Sequence, residues 1–157
     1  MKIYQLAIYT ILLSLLLLSC TNNATDSDHD HDEPPAGVQL LSNQNQLAVQ
    51  NGVEITYPSG TSIPLQVDET ILVEVQFLND DGDVIVYHAD EGYSLEVLNK
   101  SSDILQISSP EVVFNEEDEW LFQIRGLTLG SASFAVELKH AGHSDFLSRD
   151  FSVTVSE

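Results

Sequence analysis

Near the end of the chain, His140, His143 and Asp145 are the residues whose types and spacing best suit chemistry. Ala141 and Gly142 lie between the histidines. If those two form a two-residue hairpin loop, the histidines become the closing pair, directly opposite each other. Opposed residues hold their Cβ atoms roughly 4.5–5.5 Å apart, close enough for two imidazoles to share one cation. Asp145, two residues past His143, then points to the same face. Two imidazoles and a carboxylate suit zinc, with copper or nickel as alternatives, and leave a fourth position for water or another side chain. His88, closing the run that begins at Val84, is the candidate for that place. The same histidines also fit polar filler in an exposed turn, and glycine at the second loop position also fits a longer, bulged turn that breaks the pairing.

A second set of donors lies early in the chain. Asp28-His29-Asp30-His31-Asp32-Glu33 alternates imidazole and carboxylate, both ligands for first-row metals. Either it collects zinc, copper or nickel weakly, since ordering it costs entropy, or it is a solvated acidic linker. Asn79-Asp80-Asp81-Gly82-Asp83 offers oxygen ligands around a glycine. Its spacing does not match the twelve-residue calcium loop, and an Asp-Gly turn between strands has a conformational reason of its own. No Gly-x-Ser-x-Gly elbow, phosphate-cradling glycine loop or His-Glu-x-x-His pattern is present, so the expectation is a non-enzyme.

The elements that must position these residues are short and β-rich. Val38–Leu41 and Gln46–Gln50 read as an opening pair of strands around Ser42-Asn43, with Val53–Tyr57 extending the second. Ile71–Leu78 alternates, with Ile71, Val73, Val75 and Phe77 inward. Val84–His88, Tyr93–Leu98, Ile104–Ile107 and Val112–Phe114 follow. Trp120, Phe122 and Ile124 give another inward face, as do Ala132, Phe134, Val136 and Leu138, and Phe151, Val153 and Val155 close the sheet. Gly126 and Gly130 punctuate the run before the long strand, where a turn needs backbone freedom. Glu116 to Glu119 reads as a solvated loop before a buried Trp120. Absent any long helical periodicity, 38–157 is expected to form one all-β antiparallel sandwich, and roughly 120 residues can bury a core without disulfides.

Upstream of that domain the chain reads differently. Lys2 precedes an apolar run, Ile3 to Leu18, which ends in Leu17-Leu18-Ser19-Cys20. The run is shorter than the roughly 20 residues a membrane span needs and stops at a cleavage-type site. Cys20 is the single cysteine, so no intramolecular disulfide can form. Thr21 to Gly37 holds no large apolar residue and reads as a disordered tether of ~20–25 Å average reach. The formal net charge is −20, from 25 acidic and 5 basic residues, and loss of the leader would remove Lys2 as well. Such acidity argues against nucleic acid and anionic lipid surfaces as partners.

Leu17-Leu18-Ser19-Cys20 resembles the bacterial lipoprotein lipobox. That resemblance implies a signal peptide over 1–19, cleavage before Cys20, and lipidation of its thiol and new amino terminus, palmitate included. Thr21 and the acidic cluster after it resemble lipoproteins sent to the outer membrane, in the periplasmic or the surface-exposed leaflet. Leu65-Gln66-Val67-Asp68-Glu69-Thr70, then Ser101-Ser102-Asp103-Ile104-Leu105-Gln106-Ile107, then Ile124-Arg125-Gly126-Leu127-Thr128-Leu129-Gly130-Ser131-Ala132 is similar in order to bacterial Ig-like domains of group 2. The likeness covers about Leu65 to Leu138. An extra N-terminal segment, Val38–Pro64, and a longer C-terminal hairpin depart from it. The chain also resembles exported lipoproteins that join a His/Asp-rich tether to a β-sandwich ending in a His-x-x-His-x-Asp-Phe segment, here His140 to Phe146. The expectation is a lipid-anchored envelope protein, 20–37 its tether, that captures or buffers a divalent metal, zinc foremost, beside a metal-uptake system. In that reading His29 and His31 collect ions, and His140, His143, Asp145 and His88 hold one. The other expectation is a structural or adhesive surface module that binds a protein or glycan and no metal.

Overall fold

The computed structural model describes residues 34–113 and 119–157. The leader, Cys20, the tether as far as Glu33 with His29 and His31, and the stretch 114–118 lie outside them, while the tether's last residues are described and Gly37 already belongs to the first strand.

Alternating side chains in the sequence become thirteen strands among the described residues. They are β1 (Gly37–Ser42), β2 (Asn45–Asn51), β3 (Glu54–Thr56), β4 (Ile63–Gln66), β5 (Thr70–Leu78), β6 (Val84–Ile85), β7 (Tyr93–Asn99), β8 (Leu105–Ile107), β9 (Glu111–Val113), β10 (Glu119–Gly126), β11 (Gly130–His140), β12 (His143–Leu147) and β13 (Phe151–Ser156). The first sheet runs β3-β2-β1-β5-β10-β8, with β6 beside β5 and β9 beside β10. In the second, β11 is the hub. Its residues 134–140 pair with β7, while β12 and then β13 share its other side. β4 completes this sheet by pairing parallel with β13.

This order is that of an Ig-like sandwich. β5, β10 and β8 stand as strands B, E and D of one sheet, and β7, β11 and β13 as C, F and G of the other. β1 takes the A position beside β5. The segment Val38–Pro64, the departure noted above, supplies β1, β2 and β3 and the start of β4, so it widens the first sheet by two strands.

The inward faces close on each other. Val73, Val75, Phe77, Trp120, Phe122 and Ile124 from the first sheet meet Leu95, Phe134, Val136, Leu138, Phe151 and Val153 from the second, all buried. Phe122 and Phe134 join the layers edge to face, with ring centroids 5.7 Å apart. Each large side chain buried this way stabilises the fold by about 1.5–3 kcal/mol. Polar struts cross as well. The buried Gln50 of β2 accepts from the Arg149 N–H at 2.7 Å and donates to the Gly52 carbonyl at 2.9 Å. Ser148 donates its N–H to the Val136 carbonyl and accepts from the Val136 N–H on Oγ, both at 2.9 Å, holding the break between β12 and β13.

Three local expectations change. Val53–Tyr57 does not extend the second strand. The chain reverses at Gly52-Val53, and β3 returns along β2 with Asn51 opposite Glu54. The run after Asp83 pairs over two residues only, because β10 occupies β5 from Thr70 to Val75 and leaves Phe77 and Leu78 for Ile85 and Val84. Trp120 Nε1 then donates to the Tyr87 carbonyl at 3.2 Å, where the chain has left the ladder. Gly126 is needed for close approach and not for turn freedom, since a Cβ there would strike the Gln66 carbonyl and lie 2.9 Å from Val155 Cγ1.

The sandwich has two poles. The described chain enters at one, where the Ala36 N–H donates to the Leu78 carbonyl at 2.8 Å. The Asn79–Asp83 turn and the β11–β12 loop lie at this entry pole. At the other, Val67 bridges Gly126 and its N–H donates to the Ser156 carbonyl at 2.9 Å.

Candidate functional site

Ala141 and Gly142 have φ of 49° and 85°, the left-handed pair that a two-residue hairpin loop requires. His140 and His143 are therefore the closing pair, opposite each other across β11 and β12. The ladder then slips: Lys139 faces Ser144, Leu138 faces Phe146, and Asp145 is the extra residue of a bulge. Simple alternation does not carry Asp145 to its place. Its Oδ2 nonetheless lies 3.8 Å from His140 Nδ1.

The imidazole of His140 is engaged on its face too. Tyr93, its register partner on β7, stacks under it with centroids 4.3 Å apart and planes 18° from parallel. Tyr93 contacts Tyr87 at 4.9 Å, Tyr87 contacts Phe77 at 5.6 Å, and Phe77 contacts Phe146 at 5.8 Å. His140 is thus the outermost ring of an aromatic column that fills the entry end of the core. Gly92 (φ 94°) lets the chain turn beneath it, and its carbonyl accepts from the Ala141 N–H at 3.1 Å. The side chains of His140 and Asp145 are 45% and 32% exposed, so water screens the contact and its contribution is small.

His143 is exposed at the tip. His88 precedes the 3-10 turn Ala89–Glu91, where its carbonyl accepts from the Glu91 N–H at 3.1 Å. Among the described residues, no three His, Cys, Asp or Glu side chains form a group able to hold a metal ion. The structure brings His140 and Asp145 together and does not gather His143 and His88 with them. In the acidic turn, Asn79 Oδ1 accepts from the N–H groups of Asp81 (3.0 Å) and Asp83 (2.8 Å). That oxygen is spent on shaping the turn. The residue that sequence reasoning missed is Tyr93. Its strand was legible as the run Tyr93–Leu98, but its pairing with His140 depends on the β7–β11 register.

No family model matches the chain, and no curated protein matches it. Solved structures do. The S-layer protein SbsC, domains 5-6, is 12% identical with a TM-score of 0.43, and the match covers 62% of this chain and 40% of that one. A cysteine protease inhibitor, EhICP2, from Entamoeba histolytica is 13% identical with a TM-score of 0.41, covering 59% and 84%. The Lin-41 filamin domain is 9% identical with a TM-score of 0.38, covering 79% and 98%. Likenesses this distant carry no functional argument, and the sandwich assignment rests on strand order and register.

Proposed function

We propose that the chain is a non-catalytic Ig-like module of the cell envelope, structural or adhesive, which meets a protein or glycan through its surface and uses no metal. The observation that carries this reading is the state of the hairpin histidine. His140 is stacked on Tyr93 and paired with Asp145, so its ring serves as the end of the aromatic column. Residue chemistry in the best candidate site is thereby accounted for by packing. The Leu-Leu-Ser-Cys sequence supports a lipid anchor at Cys20 that holds the module to a membrane, with the outer membrane the favoured one.

One observation favours the metal-capture reading as a second: two imidazoles stand opposed in the hairpin with a carboxylate near one of them. A zinc titration of the full chain, followed by its unfolding midpoint, tests between the two. The structural reading expects the same midpoint in zinc and in chelator. A zinc-dependent rise that His140→Ala abolishes would restore metal capture. Separately, Cys20→Ser is expected to move the protein from the membrane to the soluble fraction; retention in the membrane would refute the lipid anchor.

A further inference from the structure

We propose that the pole remote from the chain entry is a docking surface for a protein segment presenting an aliphatic side chain flanked by lysine or arginine. This rests on the adhesive reading above and gives it a place and a partner chemistry. The turn between β10 and β11 reads Leu127-Thr128-Leu129, where a surface turn ordinarily carries polar or glycine residues. Leu129 is 55% exposed and Val67 36%. With Leu127, Thr128 and Glu157 they line an open concavity of about 580 Å³.

The backbone beneath holds these side chains outward. Asp68 N–H donates to the Gly126 carbonyl at 2.9 Å, Gly126 N–H to Glu69 at 3.1 Å, and Leu127 N–H to Ile104 at 2.8 Å. Thr128 Oγ1 donates to the Asp103 carbonyl at 3.0 Å, and Glu69 Oε2 accepts from the Gln66 N–H at 2.7 Å. A surface so fixed has little ordering left to lose on binding. Its rim selects the partner's charge. Glu157 lines the concavity, Asp68 and Glu69 follow Val67 in the chain, Asp103 holds Thr128 through its carbonyl, and the neighbouring base, Arg125, pairs with Asp68 at 2.6 Å and offsets that one charge. An acidic rim around an aliphatic floor complements a basic segment with an apolar anchor. The floor offers no aromatic ring or side-chain amide to a sugar. Placement agrees: β5 spans the sandwich from this pole to the entry pole, nine residues or roughly 25–30 Å. The surface is therefore the part of the domain held farthest from the entering chain.

The test uses the full chain and a display library of random dodecapeptides, with a glycan array in parallel. Enriched peptides are expected to join Leu, Ile or Val to Lys or Arg. Their affinity should fall at least tenfold in Leu129→Ser, fall severalfold in the double variant Asp103→Asn/Glu157→Gln, and weaken with salt. Leu72→Ser, a leucine of similar exposure on the sheet face, should leave it unchanged. All variants are checked for a parental unfolding midpoint. Peptides of other chemistry, or binding indifferent to Leu129→Ser, would overturn the surface. Glycan binding unaffected by Leu129→Ser, without peptide enrichment, would overturn it and leave the adhesive reading standing. Failure of both probes to bind would overturn the two together.

Discussion

Replacing His140 and His143 one at a time separates a packing role from a ligand role. His140→Ala removes a ring stacked on Tyr93 at 4.3 Å and a 3.8 Å contact with Asp145. An aromatic pair contributes about 0.5–1.5 kcal/mol beyond its buried area. A polar contact as open to water as this one contributes about 0–1 kcal/mol. The expected loss is therefore about 1–2 kcal/mol of unfolding free energy. His143 is exposed at the loop, and its replacement should stay within about 0.5 kcal/mol of the parent. The assay is urea unfolding in chelator, followed by the fluorescence of Trp120, the single tryptophan, with midpoints compared at constant slope. Equal losses at the two histidines would refute the reasoning. So would a zinc-induced stabilisation that either variant removes, since a ligand that binds the native state must raise its stability.

Other consequences follow from the same packing. Gln50→Ala removes two hydrogen bonds from a buried amide and should cost about 2–3 kcal/mol in urea unfolding; a loss below ~0.5 kcal/mol would show that the strut does not hold the sheets. Gly126→Ala places a methyl against the Gln66 carbonyl and should destabilise by at least about 3 kcal/mol or abolish soluble expression, whereas a parental midpoint would mean β4 moves aside easily. Ala141→Gly relieves a left-handed alanine and should stabilise the hairpin by about 0.5–1 kcal/mol; any loss would count against the two-residue loop.

Much of the sandwich was legible because one face of each long strand is buried. Alternation in β5, β10, β11 and β13 named inward residues that are buried in the structure, Phe77, Phe122, Phe134 and Phe151 among them. Period-2 patterning says nothing of where a strand stops pairing, which is why β6 shrank to Val84–Ile85 once β10 took the rest of the edge. β4 went unnoticed because Pro64 lacks a donor, a feature that suits its place at the edge of its sheet beside β13. In the candidate site, Ala141-Gly142 disclosed the hairpin, since local turn chemistry fixes a two-residue loop. The bulge at Asp145 and the stack on Tyr93 were hidden, because both depend on register between strands distant in sequence.

The opposed placement of the domain's two ends has a mechanical consequence. β1 begins at the entry pole with Gly37 opposite Leu78, and β13 finishes at the other pole, where Ser156 accepts from Val67. Tension between those ends runs along the strands, while the hydrogen bonds of an antiparallel ladder lie across them. The β1–β5 ladder, and the parallel β4–β13 ladder at the far end, would then be loaded in shear, with many bonds sharing the force at once. Peeling, which breaks bonds singly, would need a pull from the side. Such a domain resists stretching best along the line that joins its two ends.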